Sequence, residues 1–158
     1  MDTIRVVWGS GTAPTAMASY DAALADAGVH NYNLVGVSSV IPAGAEVDPV
    51  GTAGDLGAVG GRLTVVEARA TATDPGHVSA GLAWVQSPDG GLFYEAAGPT
   101  DAADVEERVL QGVGAGQELR PEWVFDEPRV RVQSAQVESG THTTAVVLAV
   151  YGTADPLV

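Results

Sequence analysis

Residues 62–96 read RLTVVEARATATDPGHVSAGLAWVQSPDGGLFYEA, and their alternation decides the fold class. From Arg62 to Thr73, Val66, Ala68, Ala70 and Ala72 fall on one face, while Glu67, Arg69 and Thr71 fall on the other. That period of two marks a half-buried strand. Asp74-Pro75-Gly76 is a turn, after which Val78, Ala80, Leu82 and Trp84 alternate again. A second turn at Ser87-Pro88-Asp89-Gly90-Gly91 returns the chain as a strand over Leu92 to Ala96. The three strands read as a hairpin-linked antiparallel set.

Working toward the N-terminus, Asn31 to Val37 reads as a strand, and the Gly-, Ala-, Asp- and Pro-rich stretch Ala43 to Gly61 as a long loop with room for one short element. Pro14 to Ala27 reads as a helix. Ala13, Met17, Tyr20, Leu24 and Ala27 recur at three- and four-residue spacing, Thr12 or Thr15 can cap the start, and Gly28 stops it. Asp21 flanks that apolar stripe. Ile4 to Trp8 is a short strand closed by Gly9-Ser10-Gly11. Toward the C-terminus, Asp101 can cap a second helix running to Val113, with Val105, Val109, Leu110 and Val113 as its apolar stripe. Arg129 to Val137 and Thr143 to Tyr151 are the last strands, with Gly152 to Val158 as a polar tail. Two helices and six or seven strands predict an α/β layered domain with a mainly antiparallel or mixed sheet, spanning residues 1–158 as one unit.

Composition narrows the chemistry. The chain has no cysteine and no lysine, and seven arginines face twenty acidic residues for a net charge of -13. Without cysteine there is no disulfide, thiolate nucleophile or cysteine-based metal site. Without lysine there is no internal aldimine with pyridoxal phosphate. A strongly acidic protein repels phosphate backbones and anionic lipid, so neither nucleic acid nor a membrane is an expected partner. With 46% hydrophobic residues the chain can still build a core. Acid excess, missing lysine and many Ala and Val residues together suit a salty cytoplasm, where ionic strength screens self-repulsion. The start Met1-Asp2-Thr3-Ile4-Arg5 lacks the basic and apolar regions of a targeting signal, which points to a cytoplasmic protein.

Few residues stand out as chemical. His30, His77 and His142 are scattered, without metal-like spacing, and read as surface or turn histidines; no metal site is expected. Gly9-Ser10-Gly11-Thr12 lacks the spacing of a dinucleotide fingerprint and reads as a turn. Glu95, inside Leu92-Phe93-Tyr94-Glu95-Ala96, is either an outward-facing strand residue or an acid whose pKa is raised by burial, suited to donate a proton. Ser38-Ser39 ends an apolar strand, with Val40-Ile41-Pro42 resuming and no glycine between. Two serines there can simply satisfy local backbone groups. Alternatively, a serine after a distorted peptide can attack its carbonyl, form an ester and eliminate, leaving dehydroalanine that hydrolyses to a pyruvoyl group and ammonia.

These residues carry a family likeness. Tyr20 to Leu34 (YDAALADAGVHNYNL), Val37 to Glu46 (VSSVIPAGAE) and Gly91 to Glu95 (GLFYE) together resemble the pyruvoyl-dependent arginine decarboxylases, of a halophilic archaeal type. The resemblance implies an αββα-type sandwich and a proenzyme that cuts itself between Ser38 and Ser39. The products would be a β chain of residues 1–38 and an α chain of residues 39–158 that begins with a covalent pyruvoyl group made from Ser39. It implies decarboxylation of arginine to agmatine by a homotrimer of αβ protomers, with active sites at protomer contacts and a higher assembly left open. Glu95 then resembles the proton donor, Asp21 the partner of the substrate guanidinium, and Asn33 a support for the cleavage segment. Another amino acid such as histidine, or a trimeric homologue that no longer cleaves, are the alternatives. Aspartate is disfavoured because Asp21 would repel it.

Overall fold

The computed structural model describes residues 3–158. Met1 and Asp2, part of the stretch read for a targeting signal, lie outside the described residues. The chain runs β1 (Thr3–Ala13), α1 (Ala16–Ala27), β2 (Asn33–Gly36), β3 (Val40–Ile41), β4 (Glu46–Gly51), β5 (Arg62–Ala72), β6 (Gly76–Ser87), β7 (Gly90–Gly98), α2 (Ala102–Glu118), β8 (Arg129–Val137) and β9 (His142–Asp155).

The strands form two sheets. The first has the order β2-β5-β9-β1-β4 and is mixed, with β2 parallel to β5 and β1 parallel to β4. The second has the order β3-β7-β6-β8 and is antiparallel throughout. Their inner faces meet in one apolar layer that includes Val6, Val66, Ala68, Leu82, Trp84, Phe93 and Val147. α1 covers the outer face of the first sheet through Ala23, Leu24 and Ala27, and α2 covers the second through Val105, Val109 and Val113. Each sheet is thus apolar on both faces, and the α–β–β–α layering follows from burying all four.

Several boundaries differ from the sequence reading. β5 and β6 do not form a hairpin: β5 pairs with β2 and β9, whereas β6 pairs with β7 and β8. Alternation cannot distinguish a turn within a sheet from one that carries the chain to the opposite sheet. Asp74-Pro75-Gly76 does the second, while the β6–β7 hairpin forms as read. Gly9-Ser10-Gly11 does not close β1. These glycines sit where α1 crosses, and a Cβ on Gly11 would lie 2.6 Å from the Ala22 Cβ. In α1, Thr15 is the N-cap and Gly28, at φ 81°, the C-terminal stop. Met17 is exposed, and the buried position is Ser19, whose Oγ lies 2.8 Å from the Thr144 Oγ1. The Ala43–Gly61 loop contains β4, α2 continues to Glu118, and β9 absorbs the start of the supposed tail by running to Asp155.

Among the described residues no helix is long and apolar enough to cross a membrane, and no group of three or more His, Cys, Asp or Glu side chains is arranged to hold a metal.

Candidate active site

The serine pair lies where the chain passes from one sheet to the other. Val37 N–H donates to the Val65 carbonyl at 3.0 Å, extending the β2–β5 pairing by one residue. The chain then leaves the first sheet, and Phe93 N–H donates to the Ser39 carbonyl at 2.8 Å, docking it on the edge of β7. Val40 and Ile41 follow as β3, opposite Leu92 and Gly91, with Ile41 fully buried. Tyr151 Oη donates to the Val40 carbonyl at 2.9 Å, and burial pushes its pKa up to about 12, so it stays a donor. Ser38 and Ser39 are therefore pinned on both sides while the pair itself stays accessible. The distortion expected before Ser39 is not a left-handed one: no non-glycine residue described has positive φ.

Glu95 lies two residues beyond Phe93 on β7, opposite Leu82 of β6. Its side chain sits on the rim of two cavities. One, of about 500 Å³, opens between the sheets and is shared with Tyr20, Leu34, Glu67, Arg69 and Ala97. The other, of about 350 Å³, lies on the α2 side with Tyr94, Arg108 and Gly112. Although Glu95 keeps an exposed surface, desolvation at this rim raises its pKa from the ordinary carboxylate value. Ser38 and Ser39 line a third cavity of about 290 Å³, which shares Tyr94 and Gly112 with the second. On β7 the Tyr94 side chain projects toward α2, where it meets Gly112, whereas Glu95 shares the face of its partner Leu82, toward the opposite sheet.

The other two expected site residues stand apart. Asp21 is exposed on α1 and lines none of these cavities. Asn33 opens β2 and turns away from the serines: its Nδ2 donates to the Gly60 carbonyl at 2.8 Å.

Residues the sequence reading passed over complete the surroundings. Tyr20 Oη donates to Glu67 Oε2 at 2.6 Å, and the Arg69 guanidinium lies 4.5 Å from the Tyr20 ring centre. Burial, reinforced by the Glu67 carboxylate, pushes the Tyr20 pKa up to about 12. Glu67 and Arg69 were legible as the polar face of β5, but Tyr20 read only as part of an apolar stripe. Arg120 and Gly112 gave no sequence signal at all.

A two-sheet sandwich covered by a helix on each side, with a serine pair passing between the sheets and docked on the strand that carries a desolvated acid, has the layering that the resemblance to the pyruvoyl-dependent decarboxylases implies. A family model for the pyruvoyl-dependent arginine decarboxylases matches residues 3–156. The chain is similar to a pyruvoyl-dependent arginine decarboxylase from Halobacterium salinarum, 57% identical over 159 residues, covering 99% of this chain and 98% of the relative. It is similar to another from Pyrococcus abyssi, 34% identical over 140 residues, with 86% of this chain and 85% of the relative covered. A third, from Methanocaldococcus jannaschii, is 28% identical over 141 residues, with 87% and 80% covered. The chain belongs to the pyruvoyl-dependent arginine decarboxylase family.

A pyruvoyl group fits the residues present. Its source would be Ser39, whose side of the chain borders open cavity space and whose carbonyl is already held by Phe93 N–H.

Proposed function

We propose that the protein cuts itself between Ser38 and Ser39, giving a β chain of residues 1–38 and an α chain of residues 39–158, and then decarboxylates L-arginine to agmatine and CO₂. The observation that carries this reading is the placement of Ser38-Ser39 between two anchored strands, docked on the edge of β7, the strand that carries the desolvated Glu95. Anchoring on both sides holds the Ser39 hydroxyl near the carbonyl it would attack, an orientation effect rather than an external base. Once formed from Ser39, the pyruvoyl group supplies a carbonyl able to take up the electron pair released with CO₂.

The chain's own residues do the rest. Glu95 holds a proton on its carboxyl, because its raised pKa keeps the acid form to higher pH, and returns it to the substrate Cα. Phe93, two residues away on the same face of β7, limits water on that side of the carboxyl. The Asp21 carboxylate pairs with the substrate guanidinium, whose planar fork suits two parallel hydrogen bonds and distinguishes arginine from lysine. Because Asp21 lies outside the cavities bordered by Ser39 and Glu95, it would serve the site of a neighbouring protomer, consistent with a homotrimer of αβ units. The net charge of -13 favours a cationic substrate and suits a salty cytoplasm.

Intact-protein mass spectrometry paired with activity assays tests the proposal. Two chains, the larger blocked at its N-terminus, and CO₂ release from arginine in molar KCl are expected. Ser39→Ala should leave one inactive chain. An unbroken 16.0 kDa wild-type chain after long incubation at high salt would refute it; release from histidine or lysine in preference to arginine would refute the substrate.

A further inference from the structure

The three cavities around the serine pair and Glu95 differ in charge. Glu95 borders the first two; Glu67 and Arg69 also line the larger and Arg108 the smaller, so every guanidinium there shares its cavity with a carboxylate. The cavity bordered by Ser38 and Ser39 contains no acidic side chain and one guanidinium, that of Arg120. In a chain with twenty acids and seven arginines, such a cavity is a local reversal of the prevailing field. Arg120 follows the last turn of α2, and its Nη1 donates to the Gly116 carbonyl at 3.0 Å. Its guanidinium stands 5.6 Å from the Trp123 ring centre, and the Trp123 N–H donates to the Arg120 carbonyl at 3.1 Å. These contacts hold the side chain in place without neutralising it. Among the described residues the one ion pair joins Arg108 to Asp104, so Arg120 faces no carboxylate.

We propose that Arg120 is the counter-ion for the carboxylate that self-cleavage creates at Ser38. The inference rests on the cleavage reading above and adds a role for a residue that does no chemistry. The Ser39 hydroxyl adds to the Ser38 carbonyl and the peptide C–N bond breaks, giving an ester. Loss of the Ser39 Cα proton then breaks the ester C–O bond, and the Ser38 acyl group departs as a carboxylate. The remaining dehydroalanine takes up one water and releases ammonia, leaving the pyruvoyl group. The net change consumes one water and places a full negative charge on Ser38, where the intact chain had a neutral amide. In the negative field of an acidic protein that new charge is repelled by its surroundings unless a cation already stands beside it. The guanidinium stands ready before the carboxylate exists. Pairing also draws the new terminus aside, so that it neither re-forms the ester nor blocks the opening at residue 39. A substrate carboxylate is the less fitting occupant: an ion pair there stabilises the charge that decarboxylation must remove, favouring the ground state over the transition state.

Arg120 would be a positioning residue, and its effect should depend on whether the chain is cut. The test compares Arg120→Gln with the parent in two settings, the cleaved protein and the uncleaved Ser39→Ala precursor, at fixed protein and KCl concentration. Mass spectrometry reports the cleavage state of each. The expected result is a melting temperature lowered by roughly 2–4 °C more in the cleaved protein than in the precursor, with Arg120→Lys recovering most of the difference. An equal loss in both settings would overturn the proposal, leaving Arg120 as a structural contact of Trp123 and Gly116. A rise of tenfold or more in KM for arginine without any excess loss in the cleaved protein would assign the guanidinium to the substrate instead. If the wild-type chain stays whole, the cleavage reading fails first, and the mass spectrum shows that independently of any melting curve.

Discussion

Gly112→Ala offers a sign test of the contact that seats the Tyr94 ring of β7 against α2. Ordinarily, replacing a glycine inside a helix by alanine stabilises a protein by about 1 kcal/mol. Here a Cβ would lie 2.3 Å from Cδ1 and Cε1 of Tyr94, closer than carbon atoms approach, so the ring must swing away. Tyr94 is 45% exposed, so roughly half of its side chain is packed. Taking a tyrosine as burying about 200 Å² in full and ~25 cal/mol per Å², displacement forfeits up to about 2.5 kcal/mol. The balance is a net loss of about 1.5 kcal/mol, or a melting temperature lower by roughly 3–6 °C for a domain of this size. The assay is thermal unfolding followed by circular dichroism in the Ser39→Ala background, where one unbroken chain unfolds at fixed concentration. In a Tyr94→Ala background the ring is gone, and the same Gly112→Ala change should instead raise the melting temperature by roughly 2–4 °C. A rise in both backgrounds would refute the reasoning: Gly112 would then be an unconstrained helix position and the Tyr94 ring not seated against it.

Three further outcomes follow from the same geometry. Glu95→Gln should leave self-cleavage intact but slow decarboxylation by roughly 10²–10⁴-fold, and near-normal agmatine formation would remove Glu95 from the mechanism. The raised pKa of Glu95 also gives a sign in stability: its contribution is full below the unfolded pKa and lost as pH rises through the folded one, so Glu95→Gln should flatten that decline in a melting-temperature profile against pH. Asp21→Asn should raise KM for arginine by roughly 10- to 100-fold, more than it lowers kcat, and narrow the preference over lysine; an unchanged arginine-to-lysine ratio would contradict the assignment. Gly11→Ala places a Cβ 2.6 Å from both the Ala22 Cβ and the Ala23 N, so α1 must retreat from β1, costing about 1–3 kcal/mol in a thermal melt.

Local pattern revealed what local physics determines. Alternation located β5, β6 and β7, Gly28 and Asp101 located one end of each helix while Thr12 and Thr15 were both open for the start of α1, and polar residues on β5 were assigned to the correct face. Pairing was hidden, because Asp74-Pro75-Gly76 has the same turn chemistry whether it closes a hairpin or leads to another sheet. Gly9 and Gly11 misled for a related reason: their missing side chains serve the approach of α1, a tertiary demand that resembles a strand ending. Of the candidate site, Ser38-Ser39 and Glu95 were legible because a hydroxyl pair and an acid interrupt apolar strands. Their placement on neighbouring strands was not, since it depends on the chain leaving the first sheet and the Phe93 N–H of β7 taking up the Ser39 carbonyl. The seat of the Tyr94 ring against Gly112 and the guanidinium of Arg120 emerge only when α2 is laid over β7.

The bridge that Ser38-Ser39 forms between sheets has a consequence for the life of the molecule. Residues 1–38 contribute β1 to the interior of the first sheet, flanked by β9 and β4, both from the later part of the chain. A cut at the bridge would leave the shorter piece threaded through the longer one, held by the two ladders of β1, by the β2–β5 ladder and by α1. It could depart only through unfolding. Folding, by contrast, would have started from a single covalent chain in which those ladders were intramolecular. Ammonia and the serine hydroxyl being spent, that link could not be restored. The mature protein would then be a product of its own history, able to persist once assembled, yet after denaturation obliged to find its missing strand by a bimolecular, concentration-dependent search.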